Sequence, residues 1–149
     1  MSIFKARPTV YKGIQMRSRL EADYAASLER GYDTWAYEPK CFAGPEGQWL
    51  PDFQITTDPE FTWYVEVKPE SVIVSGFAQI LKRMEIARLS EPHAHLQLVF
   101  WRYGMESVFD PISIVSRGPG QPWEAWISPR TAEEMAPAAM AALAKVGLA

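Results

Sequence analysis

The chain has 149 residues, 48% of them hydrophobic and 13% aromatic. That suits one folded domain and excludes a disordered chain. The net charge of -3 argues against a protein that coats nucleic acid nonspecifically, and the single cysteine, Cys41, excludes an internal disulfide. No apolar run approaches the ~18–20 residues of a membrane span, and MSIFKARPTVYK breaks too early for a secretory leader. The expectation is a soluble, cytoplasmic protein without a membrane partner.

Residues 1–20 carry Lys5, Arg7, Lys12, Arg17 and Arg19 and no acid. This is either a phosphate-binding patch or a solvated basic arm. Leu20, Tyr24 and Leu28 recur at helical spacing and predict a helix over Ser18–Arg30, with Gly31 as a left-handed C-cap. Three strand-like runs follow: 34–38, ending at Pro39; 49–56, after a Gly-Pro-Glu-Gly turn at 44–47; and 61–68. The last two form a hairpin through a turn near Pro59. Cys41, between the first two runs, reads as a buried packing residue. Residues 76–89 place Phe77, Ile80, Leu81, Met84 and Ile86 or Ala87 on one helical stripe. LQLVFWRY at 96–103 reads as a central strand. Residues 108–115 and 123–127 predict a peripheral hairpin, and Thr131 with Glu134 a capping box on a terminal helix that serves packing or dimerisation.

The chemistry concentrates in the 49–68 hairpin. A symmetric register about Pro59 sets Asp52 opposite Glu66, and strand alternation puts Glu66, Lys68 and Asp52 on one face with Gln54. Two carboxylates that close repel unless a cation or a proton intervenes. Oxygen-only ligands favour Mg²⁺ or Mn²⁺. The competing reading is a structural ion pair, with Lys68 neutralising one acid. Glu21 borders the apolar helix face, where it serves either the metal site or a capping box with Ser18. Glu38 reads as an exposed strand-end acid. His93 and His95 lack companions at zinc spacing and read as loop residues before the strand.

Pro51-Asp52 followed by Glu66-Val67-Lys68 resembles the PD-(D/E)XK nuclease superfamily, which includes restriction endonucleases, phage junction-resolving enzymes and transposon end-cleaving nucleases. The resemblance covers about residues 16–103. It implies an α/β, restriction endonuclease-like αβββαβ core, with a mixed sheet flanked by helices and a C-terminal hairpin and helix over 104–149. The whole of 1–149 is then one nuclease-like domain.

The resemblance also implies a metal-dependent endonuclease acting on DNA. Asp52, Glu66, the Val67 carbonyl and Glu21 would hold Mg²⁺ or Mn²⁺, and Lys68 would join Asp52, Glu66 and Glu21 in catalysis. Arg17, Arg19, Lys82 and Arg83 would contact nucleic acid. Arg83 stands four residues after Gln79, where RecB-like members carry Tyr, which departs from that branch. The absence of a recognisable reader motif fits a structure-selective enzyme, or one tethered to a partner protein, in phage or mobile-element genome processing. For a phage protein the compartment would be the host cytoplasm. Two-strand cutting would favour a homodimer. The alternative is a nuclease-like fold that only binds nucleic acid or protein.

Overall fold

The computed structural model describes residues 8–32, 34–58, 61–105 and 107–148. Lys5 and Arg7 of the basic arm, and Pro59 and Glu60 of the expected hairpin turn, lie outside the described residues.

The described residues open with a hairpin the sequence did not predict, β1 (Thr9–Tyr11) and β2 (Ile14–Met16). Its tight turn places Lys12 (φ 48) and Gly13 (φ 80) in the left-handed region, as a two-residue hairpin loop requires. Helix α1 (Arg19–Gly31) follows, capped by Ser18, with Leu20, Tyr24 and Leu28 buried. Gly31 is not the expected left-handed cap: the helix ends on Tyr32 in extended conformation. Gly31 is needed for space instead, because a Cβ there would stand 2.9 Å from Val108 Cγ2.

Next come β3 (Trp35–Tyr37), then a small hairpin of β4 (Phe42–Gly44) and β5 (Gly47–Trp49), then β6 (Phe53–Asp58) and β7 (Phe61–Pro69). The expected single strand over 49–56 is thus two strands broken at Leu50-Pro51-Asp52. Proline at 51 has no N–H to continue a ladder. Cys41 is exposed rather than buried.

Beyond β7, a short helix α2 (Ser71–Ser75) precedes α3 (Ala78–Met84), which tightens into a 3₁₀ turn (Glu85–Leu89). Phe77, Met84, Ile86 and Ala87 are buried as the stripe predicts. Strand β8 (His95–Trp101) starts one residue earlier than expected, so His95 belongs to the strand and packs its ring on Trp63. The chain closes with β9 (Ile112–Ser116), β10 (Glu124–Trp126), α4 (Pro129–Glu134) and α5 (Pro137–Lys145).

One six-stranded sheet, ordered β10-β9-β8-β7-β6-β3, organises the molecule. Only β7 and β8 run parallel; the other neighbours are antiparallel. The hairpin expected to be peripheral is therefore part of the sheet, and every residue of β9 is buried. The terminal helix is split by Pro137, and its capping residue is Ser128, whose hydroxyl accepts from Thr131 N–H. Among the described residues no helix is long and apolar enough to cross a membrane.

Strand alternation sorts the sheet's side chains into two cores. Phe53, Val65, Val67, Val99 and Trp101 pack beneath α1, whereas Tyr64, Leu96, Leu98 and Phe100 pack beneath the elements from α2 to α5. Tyr24 anchors α1 through edge-on contacts with Phe53 and Trp101, each worth roughly 0.5–1.5 kcal/mol beyond the area buried. The two layers leave open the sheet end where β6 begins and β7 finishes.

Candidate active site

At that open end lies a cleft of about 1100 Å³ whose lining includes Arg17, Glu21, Trp49, Asp52, Glu66, Val67, Lys68 and Arg83. The four residues singled out as catalytic, Asp52, Glu66, Lys68 and Glu21, thus meet in one cavity although they come from three separate segments.

The β6–β7 register explains this. Phe53 pairs with Val65, Gln54 with Tyr64 and Ile55 with Trp63, so the ladder extrapolates to Asp52 opposite Glu66. β6 does not continue through Asp52, however. The Asp52 N–H donates to the Val65 carbonyl at 2.9 Å, its carbonyl accepts from Glu38 N–H at 2.9 Å, and its Oδ2 accepts from Val67 N–H at 2.7 Å. The carboxylate has taken the place of the next residue in the ladder. It is pinned at the sheet's end, between the face that carries Glu66 and Lys68 and the face covered by α1. A strand residue's N–H and C=O point to the same side, so the Val67 carbonyl is directed toward Asp52 as well.

The Asp52 residue is only 2% exposed. Burial, reinforced by the Glu66 and Glu21 carboxylates, pushes its pKa well above the usual range, and the Val67 N–H offsets only part of that. Burial likewise raises Glu66, against the lowering effects of Lys68 and the Trp49 indole. The Trp49 Nε1–H donates to Glu66 Oε2 at 3.2 Å, and Lys68 Nζ lies 3.5 Å from Oε1. A centre in which both acids resist ionisation favours an added cation, and two carboxylates with a backbone carbonyl suit a hard divalent ion. Among the described residues no three His, Cys, Asp or Glu side chains form a ready-made metal cage.

Glu21 forms the capping box: the Glu21 N–H donates to Ser18 Oγ at 3.1 Å, and its own Oε2 accepts from Ser18 N–H at 3.0 Å. Oε2 also accepts from the Tyr37 hydroxyl at 3.0 Å, leaving Oε1 facing Arg17 at 3.8 Å. Glu21 therefore reaches the cleft while its oxygens serve the helix start, Tyr37 and Arg17.

The expected phosphate contacts divide. Arg83 lines the cleft, whereas Lys82 lines an adjoining groove and sits 4.0 Å from Glu46. Arg19 stands outside the cleft with its guanidinium over the Tyr103 ring. Lys12 is paired with Glu29 at 2.5 Å. Arg17 is in the cleft, but its guanidinium contacts Glu38 at 2.6 Å and Asp52 at 2.9 Å. Glu38 is accordingly not a free strand-end acid; it has φ 44 and points into this network.

Sequence reasoning missed Trp49 as the residue that orients Glu66 and Tyr37 as the one that orients Glu21. A signal existed for Trp49, an indole three residues before Asp52, but its direction depends on β5. Comparison with protein-family models, with curated proteins and with solved structures returns no match to this chain.

Proposed function

We propose that the chain is a divalent-metal-dependent nuclease of the PD-(D/E)XK type, hydrolysing phosphodiester bonds in DNA at the Asp52–Glu66–Lys68 cleft. The observation that carries this reading is the buried Asp52, held at a strand break by Val67 N–H, beside the half-buried Glu66 carboxylate and Lys68 in an open cleft. The order α1, β3, β6, β7, α3, β8 agrees with the αβββαβ core expected of that superfamily, which supports the family reading. DNA rather than RNA rests on the resemblance alone.

Asp52, Glu66 and the Val67 carbonyl would hold Mg²⁺ or Mn²⁺. When bound, such an ion activates water and stabilises the leaving oxygen. In the hydrolysis a water oxygen bonds to phosphorus, the bond to the 3′ oxygen breaks, and a water proton finishes on that oxygen, giving the 5′-phosphate and 3′-hydroxyl ends the family resemblance implies. Lys68, anchored beside Glu66, positions the water or a non-bridging phosphate oxygen. Trp49 fixes the Glu66 rotamer through its indole N–H. Arg83, on the cleft wall, is placed to contact the nucleic-acid backbone. Homodimerisation would supply the second active site for two-strand cutting, and a tethering partner would supply the targeting that the chain's own motifs do not.

The ion pairs of Arg17 favour a second reading, in which the acids form a structural charge network and no reaction occurs. Incubating the protein with Mg²⁺ or Mn²⁺ against linear duplex, single-stranded and branched DNA and RNA in parallel tests the choice. Metal-dependent cleavage of at least one substrate is expected. Failure on all four would favour the structural network.

A further inference from the structure

The nuclease reading leaves Glu38 and Tyr37 without a role and Arg17 only as an expected nucleic-acid contact, yet Arg17, on the cleft wall, is joined to both. Arg17 Nε lies 2.6 Å from Glu38 Oε1, and Nη2 lies 2.9 Å from Asp52 Oδ1 and 3.8 Å from Glu21 Oε1. We propose that Arg17 is a built-in cation of this centre, standing where a second divalent ion would otherwise sit, so that the centre takes up a single ion on its Asp52–Glu66 side. The proposal rests on the metal-centre reading above and deepens it.

Three observations carry it. The first is chemical. Glu21, Glu38 and Asp52 all direct an oxygen at one guanidinium, which donates a hydrogen bond to Asp52 Oδ1 and stands as the ion-pair partner of the other two. Glu21 and Glu38 thus serve Arg17, which revises the expectation that Glu21 is a metal ligand.

The second is anchoring. The Arg17 backbone N–H donates to the Tyr37 hydroxyl oxygen at 2.9 Å, and that hydroxyl donates to Glu21 Oε2 at 3.0 Å. Glu38 N–H is held by the Asp52 carbonyl at 2.9 Å. These bonds hold the Arg17 backbone and the acids that its side chain faces in place.

The third is charge. Across two neighbouring sets of ion pairs, four carboxylates (Glu21, Glu38, Asp52, Glu66) stand against two cations (Arg17, Lys68), which formally leaves two negative charges. One divalent ion neutralises that remainder, whereas a second would overshoot and repel Arg17.

Calorimetric titration of Mn²⁺ into the full chain tests this. Wild type should take up one ion. Glu21→Gln keeps the capping box, because glutamine serves that position as well as glutamate does. Glu21→Gln and Glu38→Gln should therefore each still take up one ion, while Asp52→Asn abolishes uptake. Arg17→Ala should take up a second, weaker ion that disappears when Glu38→Gln is added. Arg17→Gln is measured in parallel, and melting curves are recorded with and without Mn²⁺. If removing Arg17 unfolds the chain and Mn²⁺ restores the fold, the ion has replaced the guanidinium, which also supports the proposal. Uptake by Arg17→Ala and Arg17→Gln no greater than wild type, an unfolded variant that Mn²⁺ does not rescue, or loss of the first ion in Glu21→Gln would overturn it. Wild type that takes up no ion would overturn the metal-centre reading itself, a different outcome from all of these.

Discussion

Asp52→Asn is expected to stabilise the ion-free protein at neutral pH. Asparagine keeps an oxygen for Val67 N–H, the 2.7 Å bond that pins the strand end. It gives up the pairing with Arg17, whose side chain is 59% exposed, and a pair so open to water is worth roughly 0–1 kcal/mol. Against that loss, the variant no longer buries a negative charge beside Glu66 and Glu21, a relief on the order of 1–3 kcal/mol for a buried polar group. The balance is a gain of roughly 1–2 kcal/mol. For a chain of this length that is about 3–6 °C in Tm.

The pH dependence carries a definite sign. Asp52 has its folded pKa raised by burial and by the neighbouring carboxylates. Its contribution to stability is therefore fully present below its unfolded pKa of ~3.9 and lost as pH rises through the folded value. Wild type should approach the variant in stability as pH falls toward ~4. Saturating Mn²⁺ at ~100 times Kd should add about 2.7 kcal/mol to wild type and nothing to the variant, reversing their order. Scanning calorimetry at two pH values, with and without Mn²⁺, reads all three effects. An Asp52→Asn protein that melts below wild type at neutral pH, by a margin insensitive to pH and Mn²⁺, would show that the carboxylate serves as Arg17's structural partner.

Lys68→Ala should lower turnover by roughly 10²–10³-fold, the usual loss of an electrostatic contact to the reacting group, while DNA affinity measured by anisotropy stays near wild type; equal losses in both would make Lys68 a docking residue. Trp49→Phe removes the 3.2 Å bond to Glu66 and should weaken Mn²⁺ binding by about 10–100-fold, read by calorimetry on a variant whose circular dichroism is unchanged. Gly31→Ala gains up to ~1 kcal/mol of helix propensity, yet its methyl meets Val108 Cγ2 at 2.9 Å. Overpacking costs typically 1–3 kcal/mol, so an unfolding free energy lower by up to ~2 kcal/mol in denaturant titration is expected, and a rise would mean Val108 yields freely.

The amphipathic stripes of α1 and α3, the apolar β8 and the β6–β7 register were legible because periodicity and turn spacing are local properties. From them followed the convergence of Asp52, Glu66, Lys68 and Glu21 on one cleft. What was not legible depended on partners distant in sequence. The strand broke at Pro51 because the Asp52 side chain, not a backbone group, pairs with Val67. β4 has only three residues and is a strand because β5 folds back on it. β9 looked peripheral because it follows loop-like sequence, yet β8 needed an antiparallel neighbour to bury its second edge. Arg17 read as a phosphate binder because its three acidic partners lie 4, 21 and 35 residues away. Cys41 read as buried from its usual behaviour, but it falls on the exposed segment entering β4.

The most direct measurement is strand cleavage under single-turnover conditions, with protein in excess over the best DNA substrate, comparing wild type, Asp52→Ala and Glu66→Ala with Mg²⁺ and with EDTA. The account predicts 5′-phosphorylated products from wild type with Mg²⁺ alone, and none from either variant although both remain folded. Cleavage that survives in Asp52→Ala, or that proceeds in EDTA, would contradict it.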